Sequence, residues 1–324
     1  MLRIFLCAGV LALSLWLVSC GGATQLAAPG ETNQTVHAVI NPLPSNDEDF
    51  GFSDSDEKAA SAAYRYFFHD AVNEHSGGRW DVENQFGKKT WILSNVFYTD
   101  PKAWQMGGNY WNHETDVLTS HPGLVQAGRR GIKLGYHGRW RIAPGDGCSV
   151  QYSIDGGEWT EIAFFSGGQN PSFPGWDRYT LALPDCLDFD QQYQVRFVFS
   201  SDGSITDMGY GVDRVAIYQT LLTPPLNVEP TKEDPFELTV FLDHNFDGER
   251  PGTYEIYRSE TGEFGEYTPV GTTPYPGTMF NTSWVDPTAV AFTEYWYKIK
   301  STKVGWDDSD FSNADFGSYW IPDN

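Results

Sequence analysis

Alternation of apolar and polar side chains dominates the chain from the segment YRYFF onward, and this two-residue period predicts β-strands. The segment CSVQYSI puts Cys148, Val150, Tyr152 and Ile154 on one face and small polar side chains on the other. The turn sequence DGG at 155–157 and another alternating segment, EWTEIAFF, follow directly, which is typical of a β-hairpin. Because DRYTLAL and YQVRFVF repeat the period, we expect half-buried antiparallel strands packed as a sandwich.

The pattern also indicates where the domains begin. The segment EKAASAAYRYFFHDAVNEH is ambiguous, because its first half favours a helix and YRYFF favours a strand; we interpret it as a strand that opens the first domain. A break follows at Thr223-Pro224-Pro225, and then come the strand patterns ELTVFLDH, GTYEIYRSE, EYTPVGTT, TSWVD and EYWYKIKSTK. About 100 residues with roughly seven short strands is the size of an immunoglobulin-like sandwich. The predicted domains are therefore 61–221 and 222–324.

The N-terminus predicts a signal peptide of the lipoprotein type. Its apolar run from Ile4 to Val18 holds 15 residues, fewer than the roughly 20 that a membrane-spanning helix needs. The run ends in LVSC, which resembles the bacterial lipobox, whose cysteine is acylated after cleavage. We therefore expect residues 1–19 to be removed and Cys20 to carry the lipid, with an ordinary secretory signal and a chance cysteine as the alternative.

The next segment has the composition of a tether. Residues 20–60 are rich in Gly, Pro, Asn, Ser and Thr and end in the acidic run DEDFGFSDSDE, which is typical of a flexible, solvated linker. A cation site in that run is the alternative. A lipid anchor on Cys20 places the protein in the cell envelope, facing the outside or the periplasm, and on the outer membrane if the cell is Gram-negative.

The composition limits the classes of molecule that the protein can bind and the compartment in which it works. The 324 residues carry 43 acidic and 21 basic side chains, a formal charge of −22, which argues against nucleic acid as a partner. Aromatic residues make up 15%, with 33 Gly and 19 Pro, as in an all-β protein outside the cytoplasm. Once Cys7 and Cys20 are set aside, Cys148 and Cys186 remain. In an oxidising compartment this pair predicts a disulfide, and two buried free thiols are the alternative.

The last hundred residues resemble a fibronectin type III domain. PPLNVEP is similar to the first strand of that family, TYEIYRSE to its third, and TEYWYKIKSTKVGWDDSDFS to its penultimate strand and the loop that follows. In this resemblance Tyr295 takes the position of the tyrosine corner. The second strand, LTVFLDH, lacks the usual tryptophan, and without an RGD sequence integrin binding has no basis.

Residues 62–220 resemble the MAM-like jelly-roll domains of bacterial surface and secreted proteins, including the C-terminal part of immune-inhibitor-A-type metallopeptidases. The resemblance is carried by FFHDAVNEHSGGRW, YWNHETDVLTSHPGL, SVQYSIDGGEWTEI, YQVRFVFSSDGS and GYGVDRVAIY. One departure is Arg214 after Asp213, where the family usually has a second acid. The two resemblances imply an all-β protein, a jelly-roll β-sandwich followed by an immunoglobulin-like (fibronectin type III) β-sandwich.

Motifs for catalysis are absent from the sequence. It contains no G-x-S-x-G elbow, no H-E-x-x-H zinc helix and no phosphate-binding loop, so we expect a protein that is not an enzyme. A pair of glycosidase carboxylates is defined by spatial separation and has no sequence motif. An enzyme, or an accessory subunit of a surface hydrolase, therefore stays the alternative.

Acidic residues suggest a structural calcium site, although no cofactor is required. In VDRVAIY, the two-residue period places Asp213 on the inward face, where a carboxylate must meet a cation, an arginine such as Arg139 or Arg141, or backbone amides. The jelly-roll resemblance implies calcium held by Asp213 with Asp70 of the first strand. The segment DHNFDGE at 243–249 matches half of a calcium loop but lacks the Glu at position twelve, so we interpret it as an acidic hairpin loop.

Aromatic residues suggest that the protein binds a ligand. Trp104 and Trp176 lie in the Pro/Gly-flanked segments DPKAWQMGG and PSFPGWDR, and we predict them as platforms for sugar rings, with core packing as the alternative. The sequence thus favours a non-catalytic lipoprotein of the cell surface that acts as a binding or adhesion module for a glycan or a protein. A structural spacer in an envelope assembly is the third reading.

Overall fold

The computed structural model describes residues 64–84, 91–98, 101–106, 110–246, 248–277 and 281–322. Within these ranges the regular structure is β-strand apart from one 3-10 turn at Ser76–Gly78, which confirms the all-β class. No helix in this part of the chain is long and apolar enough to cross a membrane. The predicted signal peptide, the tether 20–60 and the acylation site Cys20 lie outside the described residues.

One sheet of eleven strands forms the first part of the protein. Its strands are β1 (Tyr64–Asp70), β2 (Trp80–Asn84), β3 (Trp91–Ser94), β4 (Ala103–Met106), β5 (Thr115–Ser120), β6 (Gly123–Val125), β7 (Ile132–Ile154), β8 (Thr160–Gln169), β9 (Asp177–Ala182), β10 (Gln191–Ser200) and β11 (Gly209–Thr220). The first half of β7 pairs with β9 and β11, and its second half with β8 and β10. Pairing continues from β11 to β4 and β3, and from β10 to β5 and β2.

Aromatic side chains show that the two halves of this sheet fold onto each other. Tyr136 of β7 meets Phe197 of β10 edge to face at 5.2 Å between ring centroids, and Phe165 of β8 lies 5.3 Å from Tyr210 of β11. All four side chains are fully buried. Since β8 and β11 are not hydrogen-bonded neighbours, their contact is made across the space between two layers, and the first part of the chain is a β-sandwich.

Strand β7 bends at a corner, so that its first half pairs in one layer of the sandwich and its second half in the other. Gly145 has φ 95°, and a Cβ there would lie 2.3 Å from Oδ2 of Asp202, so the corner requires glycine. The buried carboxylate of Asp146 follows and accepts hydrogen bonds from the Tyr110 hydroxyl (2.5 Å) and the Asp202 amide (2.6 Å). The change of layer is thus fixed by satisfied polar groups inside the sandwich.

The second part of the chain forms two smaller sheets. Its strands are β12 (Leu226–Pro230), β13 (Lys232–Pro235), β14 (Thr239–Asp243), β15 (Thr253–Ser259), β16 (Thr268–Pro274), β17 (Thr282–Val285), β18 (Tyr295–Thr302) and β19 (Asp315–Trp320). One sheet has the order β12-β14-β17 and the other β13-β19-β18-β15-β16. A buried core that includes Val240, Ile256 and Tyr297 lies between them. This is an immunoglobulin-like sandwich, as predicted.

Tyr295 occupies the position that the fibronectin type III resemblance gives to the tyrosine corner. Its hydroxyl accepts a hydrogen bond from the amide of Val290, five residues upstream, at 3.2 Å. Its ring is buried and lies 4.3 Å from the guanidinium carbon of Arg258. The bond ties the connection between β17 and β18 to the start of β18, which is the geometry of that motif.

The two parts of the chain meet beside the ends of β1 and β11. These strands are antiparallel, with Tyr64 opposite Thr220, so the chain enters and leaves the first sandwich at the same place. There the Trp306 indole N–H donates to the carbonyl of Thr220 at 2.8 Å. Gly131 lies under the same ring, because a Cβ at this position would come within 2.6 Å of it. Trp306 of the second part is therefore seated directly on the first.

An ionic contact accompanies this packing. The carboxylate of Asp307 accepts hydrogen bonds from Arg129 at 2.7 Å and from Arg65. The hydrogen bond from Arg129, opposed by partial burial and aided by Arg65, holds the pKa of Asp307 below its usual range. Since the carboxylate is half-exposed, we regard this contact as one that aligns the two parts more than it stabilises them.

The predicted disulfide is wrong, because Cys148 and Cys186 are free thiols in this structure. Cys148 lies opposite Phe199 of β10, whereas Sγ of Cys186 lies 3.4 Å from the carbonyl of Val125, which pairs with Gln191 at the other end of β10. Eight residues of strand separate these positions, about 26 Å at roughly 3.3 Å per residue. A disulfide requires Cα atoms within about 7 Å, so the predicted bond is not formed.

Alkylation tests this correction. We expect iodoacetamide to modify both Cys148 and Cys186 in denaturant without any reductant, and peptide mapping by mass spectrometry should show it. Cys148 should resist modification in the folded protein, because complete burial raises the pKa of its thiol and blocks access. If labelling appears only after reduction, the two cysteines form the predicted disulfide and the correction is wrong.

A buried ionic network holds the second sandwich together after β17. Asp286 accepts hydrogen bonds from Nη1 of Arg258 (2.9 Å), the hydroxyl of Tyr297 (2.7 Å) and the amide and hydroxyl of Thr288 (2.8 Å each). Burial acts to raise the pKa of Asp286, but the bonds from Tyr297, Thr288 and Arg258 outweigh it and hold the pKa below its usual range. The folded state is therefore stabilised by the ionised form.

This network predicts a pH dependence of stability. A carboxyl with a depressed folded pKa contributes stability above its unfolded pKa of about 4 and loses it as the pH falls. The free energy of unfolding, measured by urea denaturation between about pH 6 and about pH 3, should fall more steeply for the wild type than for Asp286→Asn. Near neutrality Asp286→Asn should be less stable by about 1–3 kcal/mol. Exposed Asp310→Asn is the control, and equal slopes for all three proteins would contradict the assignment.

Candidate functional site

A groove opens at the free edge of the first sandwich, between the edge strands β2 and β3 of the two layers. Its volume is about 710 Å³. We call it the edge groove; its lining residues are Gly77, Trp80, Asp81, Val82, Glu83, Trp91, Ile92, Leu93 and Trp104. Such a volume lies in the range of small-molecule binding sites, about 300–1,000 Å³.

Strand alternation explains the character of its walls. In β2, Trp80 is buried and Val82 half-buried, while Asp81 and Glu83 between and after them are exposed. In β3, Trp91 is buried, and the next side chain is exposed. The groove therefore has an indole-rich interior and a carboxylate rim, because successive residues of each strand face opposite ways.

Indole groups form the interior, and two of them have unused donors. The rings of Trp80 and Trp91 pack against Phe197 at 6.3 and 6.5 Å between centroids. Nε1 of Trp80 donates to Asp70 at 2.6 Å. By contrast, Nε1 of Trp91 and of Trp104 are buried and have no hydrogen-bond partner within the described residues. A buried donor left unpaired costs about 1–3 kcal/mol, so an acceptor that reaches these atoms binds favourably.

The rim is electronegative. Asp81 and Glu83 are exposed, and the described residues that line the groove include no Lys or Arg. Asp81 lies beside His121, whose Nε2 is 3.8 Å from the carboxylate and whose ring is charged only when protonated. At neutral pH the rim thus attracts neutral polar or cationic ligands and repels anions.

Trp104 is one of the two predicted sugar platforms, and the structure corrects its setting. It lies in strand β4 instead of an irregular loop, and its side chain is only 5% exposed. Its register partner is Val212, which belongs to the core, so the Trp104 ring also faces inward. Trp104 contributes a wall of the edge groove and no open stacking surface.

Trp176, the other predicted platform, lies on the outer side of the same layer. A Cβ at Gly211 would lie 3.1 Å from Cη2 of Trp176, so the indole ring rests on this glycine. Tyr210 and Val212 on either side of Gly211 are core residues, which shows that Trp176 is on the outer face. The structure therefore does not bring Trp104 and Trp176 to one surface.

Asp70 and Asp213, the predicted calcium ligands, are buried and hydrogen-bonded. Asp70 Oδ1 accepts from the Ser76 hydroxyl at 2.7 Å, and Oδ2 accepts from Trp80. Asp213 accepts from the amides of Tyr98 (2.9 Å) and of the next residue (2.8 Å). These bonds provide what a buried carboxylate needs. Within the described ranges no three His, Cys, Asp or Glu residues are grouped to hold a metal. Calcium at this position stays a prediction.

Neither of the two arginines considered as partners of Asp213 forms an ion pair with it in the described residues. Nε of Arg141 donates to Asp207 at 2.6 Å, and Arg139 forms no ion pair within the described part of the chain. The other calcium motif, the loop that starts at Asp243, is also engaged by the protein. There the carboxylate of Glu249 lies 2.6 Å from Nζ of Lys303.

The sequence reasoning missed Trp80 and Trp91 as parts of one site. They belong to opposite layers, so no local spacing relates them. The only sequence signal was the alternation in WDVEN, where a tryptophan and two acids lie on opposite faces of one short strand.

Comparisons with known proteins give no family. No protein family model and no curated protein matches the sequence. Among solved structures, the glycoside hydrolase domain of Endo-D from Streptococcus pneumoniae is similar over 73% of this chain and 37% of its own, with 13% identity and a TM-score of 0.32. A two-domain fibronectin type III segment of chicken tenascin is similar over 60% and 97%, with 19% identity and a TM-score of 0.29.

The adhesin domain of Epf from Streptococcus pyogenes is similar over 81% of this chain and 99% of its own, with 10% identity and a TM-score of 0.29. The chain spans less than two fifths of the hydrolase domain that it matches. Similarities of this size do not bear on activity.

Substitution of Asp70 tests whether its carboxylate stabilises the fold as a hydrogen-bond acceptor or as a calcium ligand. Asp70→Ala should lower the free energy of unfolding by about 1–3 kcal/mol, because the buried Trp80 indole and Ser76 hydroxyl lose their acceptor. The exposed Asp81→Ala should be nearly neutral. If Asp70 serves only these hydrogen bonds, the Tm of the wild type will not change with calcium or with EDTA. A rise with calcium that EDTA reverses and Asp70→Ala abolishes would establish the metal site instead.

Proposed function

We propose that the protein is a non-catalytic binding module of the cell surface whose edge groove takes an uncharged or cationic carbohydrate. The observation that carries the proposal is the pair of unpaired indole N–H groups, those of Trp91 and Trp104, in the wall of a groove with a carboxylate rim. A protein ligand would require an extended apolar patch, which this groove does not offer because its rim is charged.

Carbohydrate chemistry fits both parts of the groove. Sugar hydroxyls donate to carboxylates such as Asp81 and Glu83 in charge-assisted hydrogen bonds. Their oxygens are acceptors of the kind that the buried indole N–H groups lack, and the C–H faces of a sugar ring can contact the apolar side chains of Val82 and Leu93. An acidic sugar would be repelled by the rim.

Catalysis by the same carboxylates is disfavoured by their exposure. Asp81 and Glu83 lie two residues apart on one face of β2, about 7 Å between Cα atoms, a separation compatible with a glycosidase pair. A general acid, however, needs an apolar pocket that raises its pKa, and both side chains are exposed on the rim. A surface hydrolase is therefore the second candidate, distinguished by the release of product.

The location is part of the proposal. The sequence LVSC supports acylation of Cys20, and the acidic segment 20–60 would give the groove reach from the membrane surface. Detection of acyl groups on an N-terminal Cys20 peptide by mass spectrometry would test this anchor separately from the groove.

Binding experiments test the groove. A glycan array should show binding to uncharged or amino sugars, and calorimetry on the best hit should show about tenfold weaker binding for Asp81→Asn/Glu83→Gln and for Trp104→Phe, each about 1.4 kcal/mol. Trp104→Phe keeps an aromatic ring but removes the indole donor. The exposed Asp188→Asn in the same sandwich is the control.

Three results would contradict the proposal. They are an array without hits, equal binding by all the variants, and cleavage of the bound glycan, which would favour the hydrolase.

A further inference from the structure

A group of basic and aromatic side chains lies on the outer face of the first sandwich. We call it the arginine–aromatic cluster; its members are Arg139, Arg141, Phe173 and Trp176. The two arginines alternate along β7 with the core residues Trp140 and Ile142, so both guanidinium groups project outward. Their Cζ atoms lie 5.5 and 5.0 Å from the centroid of the Phe173 ring. One aromatic ring thus holds two cations side by side.

Trp176 completes the cluster on its other side. Gly211, on which this ring rests, is the register partner of Arg139 in the pairing of β11 with β7. A larger residue at 211 would displace the ring, because a Cβ there would lie 3.1 Å from it. The half-buried indole is therefore fixed next to the Arg139 backbone and still presents part of its surface to solvent.

One of the two positive charges of the cluster, that of Arg139, is left uncompensated by the described residues. Arg139 forms no ion pair among them, and its Nε is buried without a hydrogen-bond acceptor. Arg141 engages Asp207 through Nε. Burial, and then the neighbouring Arg141, lower the pKa of Arg139. An uncompensated arginine is unusual in a chain with a formal charge of −22.

We propose that the arginine–aromatic cluster binds a carboxylate-bearing sugar. The planar guanidinium of Arg139 matches a carboxylate through paired N–H donors, and Arg141 adds a second charge on the same face. The exposed part of Trp176 stacks on the C–H face of the sugar ring, as indole surfaces do with apolar ring faces. The combination of an anion-binding fork and a ring platform favours an acidic sugar over a simple anion.

The cluster is separate from the edge groove and has the opposite charge. The backbone carbonyl of Trp104 lies 3.6 Å from the Cβ position of Gly211, while the Trp104 ring faces the interior. The two sites thus occupy opposite faces of the same layer. An acidic sugar is repelled by the groove rim and attracted by the cluster, so the inference does not rest on the function proposed for the groove.

Calorimetry with the full-length protein tests the inference, with a galacturonate oligosaccharide as the probe and the matching neutral galactose oligosaccharide for comparison. We expect binding of the acidic probe that weakens as salt is added. Arg139→Gln/Arg141→Gln and Trp176→Ala should each weaken it by at least about tenfold. Arg139→Lys, which keeps the charge but lacks the planar fork, should also bind more weakly.

Arg250→Gln is the matched control, since Arg250 lies over the ring of Phe246 at 4.4 Å in the second sandwich and has no place in the cluster. It should bind as the wild type does. Circular dichroism and Tm confirm that each variant is folded.

Several results would overturn the inference. One is equal affinity of the wild type and Arg139→Lys, together with equal affinity of the wild type and Trp176→Ala. Another is an equal loss in Arg250→Gln, which would indicate general charge attraction. Full competition by inorganic sulfate at the affinity of the acidic sugar would reduce the site to a simple anion site without recognition of the ring.

Discussion

The first sandwich depends on one constraint, which is that strand β7 belongs to both of its layers. The backbone of β7 continues through the corner at Gly145, where its pairing is interrupted between Ile142 and Gly147, so one strand carries the register of β9 and β11 on one side and of β8 and β10 on the other. A slip of one residue on either half would exchange the core and outer faces of that layer. The faces to which the side chains of β7 and its neighbouring strands point follow from this pairing.

Both candidate sites are consequences of that arrangement. The layers are joined along β7 and end at β2 and β3, so their free edges leave an opening into an aromatic interior. The outward residues of the first half of β7 present Arg139 and Arg141 to solvent, while Trp140 between them packs in the core. One alternating strand therefore supplies the centre of the hydrophobic core and the charge of the outer face.

Local alternation in the sequence predicted much of the fold. It identified the second half of β7, β8 and β10, and it predicted the immunoglobulin-like sandwich. It failed where the outcome depends on distance through space. An even number of cysteines does not show that Cys148 and Cys186 lie near opposite ends of one strand, and Pro and Gly beside Trp104 concealed a strand of only four residues. The edge groove was invisible for the same reason, because its walls come from two layers.

The side-by-side entry and exit of the first sandwich has a mechanical consequence. Tension applied between the N-terminal segment and the second sandwich acts on the ends of β1 and β11 at Tyr64 and Thr220. Force at adjacent ends of two antiparallel strands separates their hydrogen bonds one after another, whereas force at opposite ends would strain them all together. The contact of Arg65 with Asp307 lies one residue inside that junction and bridges it. It stands where such peeling would begin, so this ion pair resists pulling even though it adds little to stability at rest.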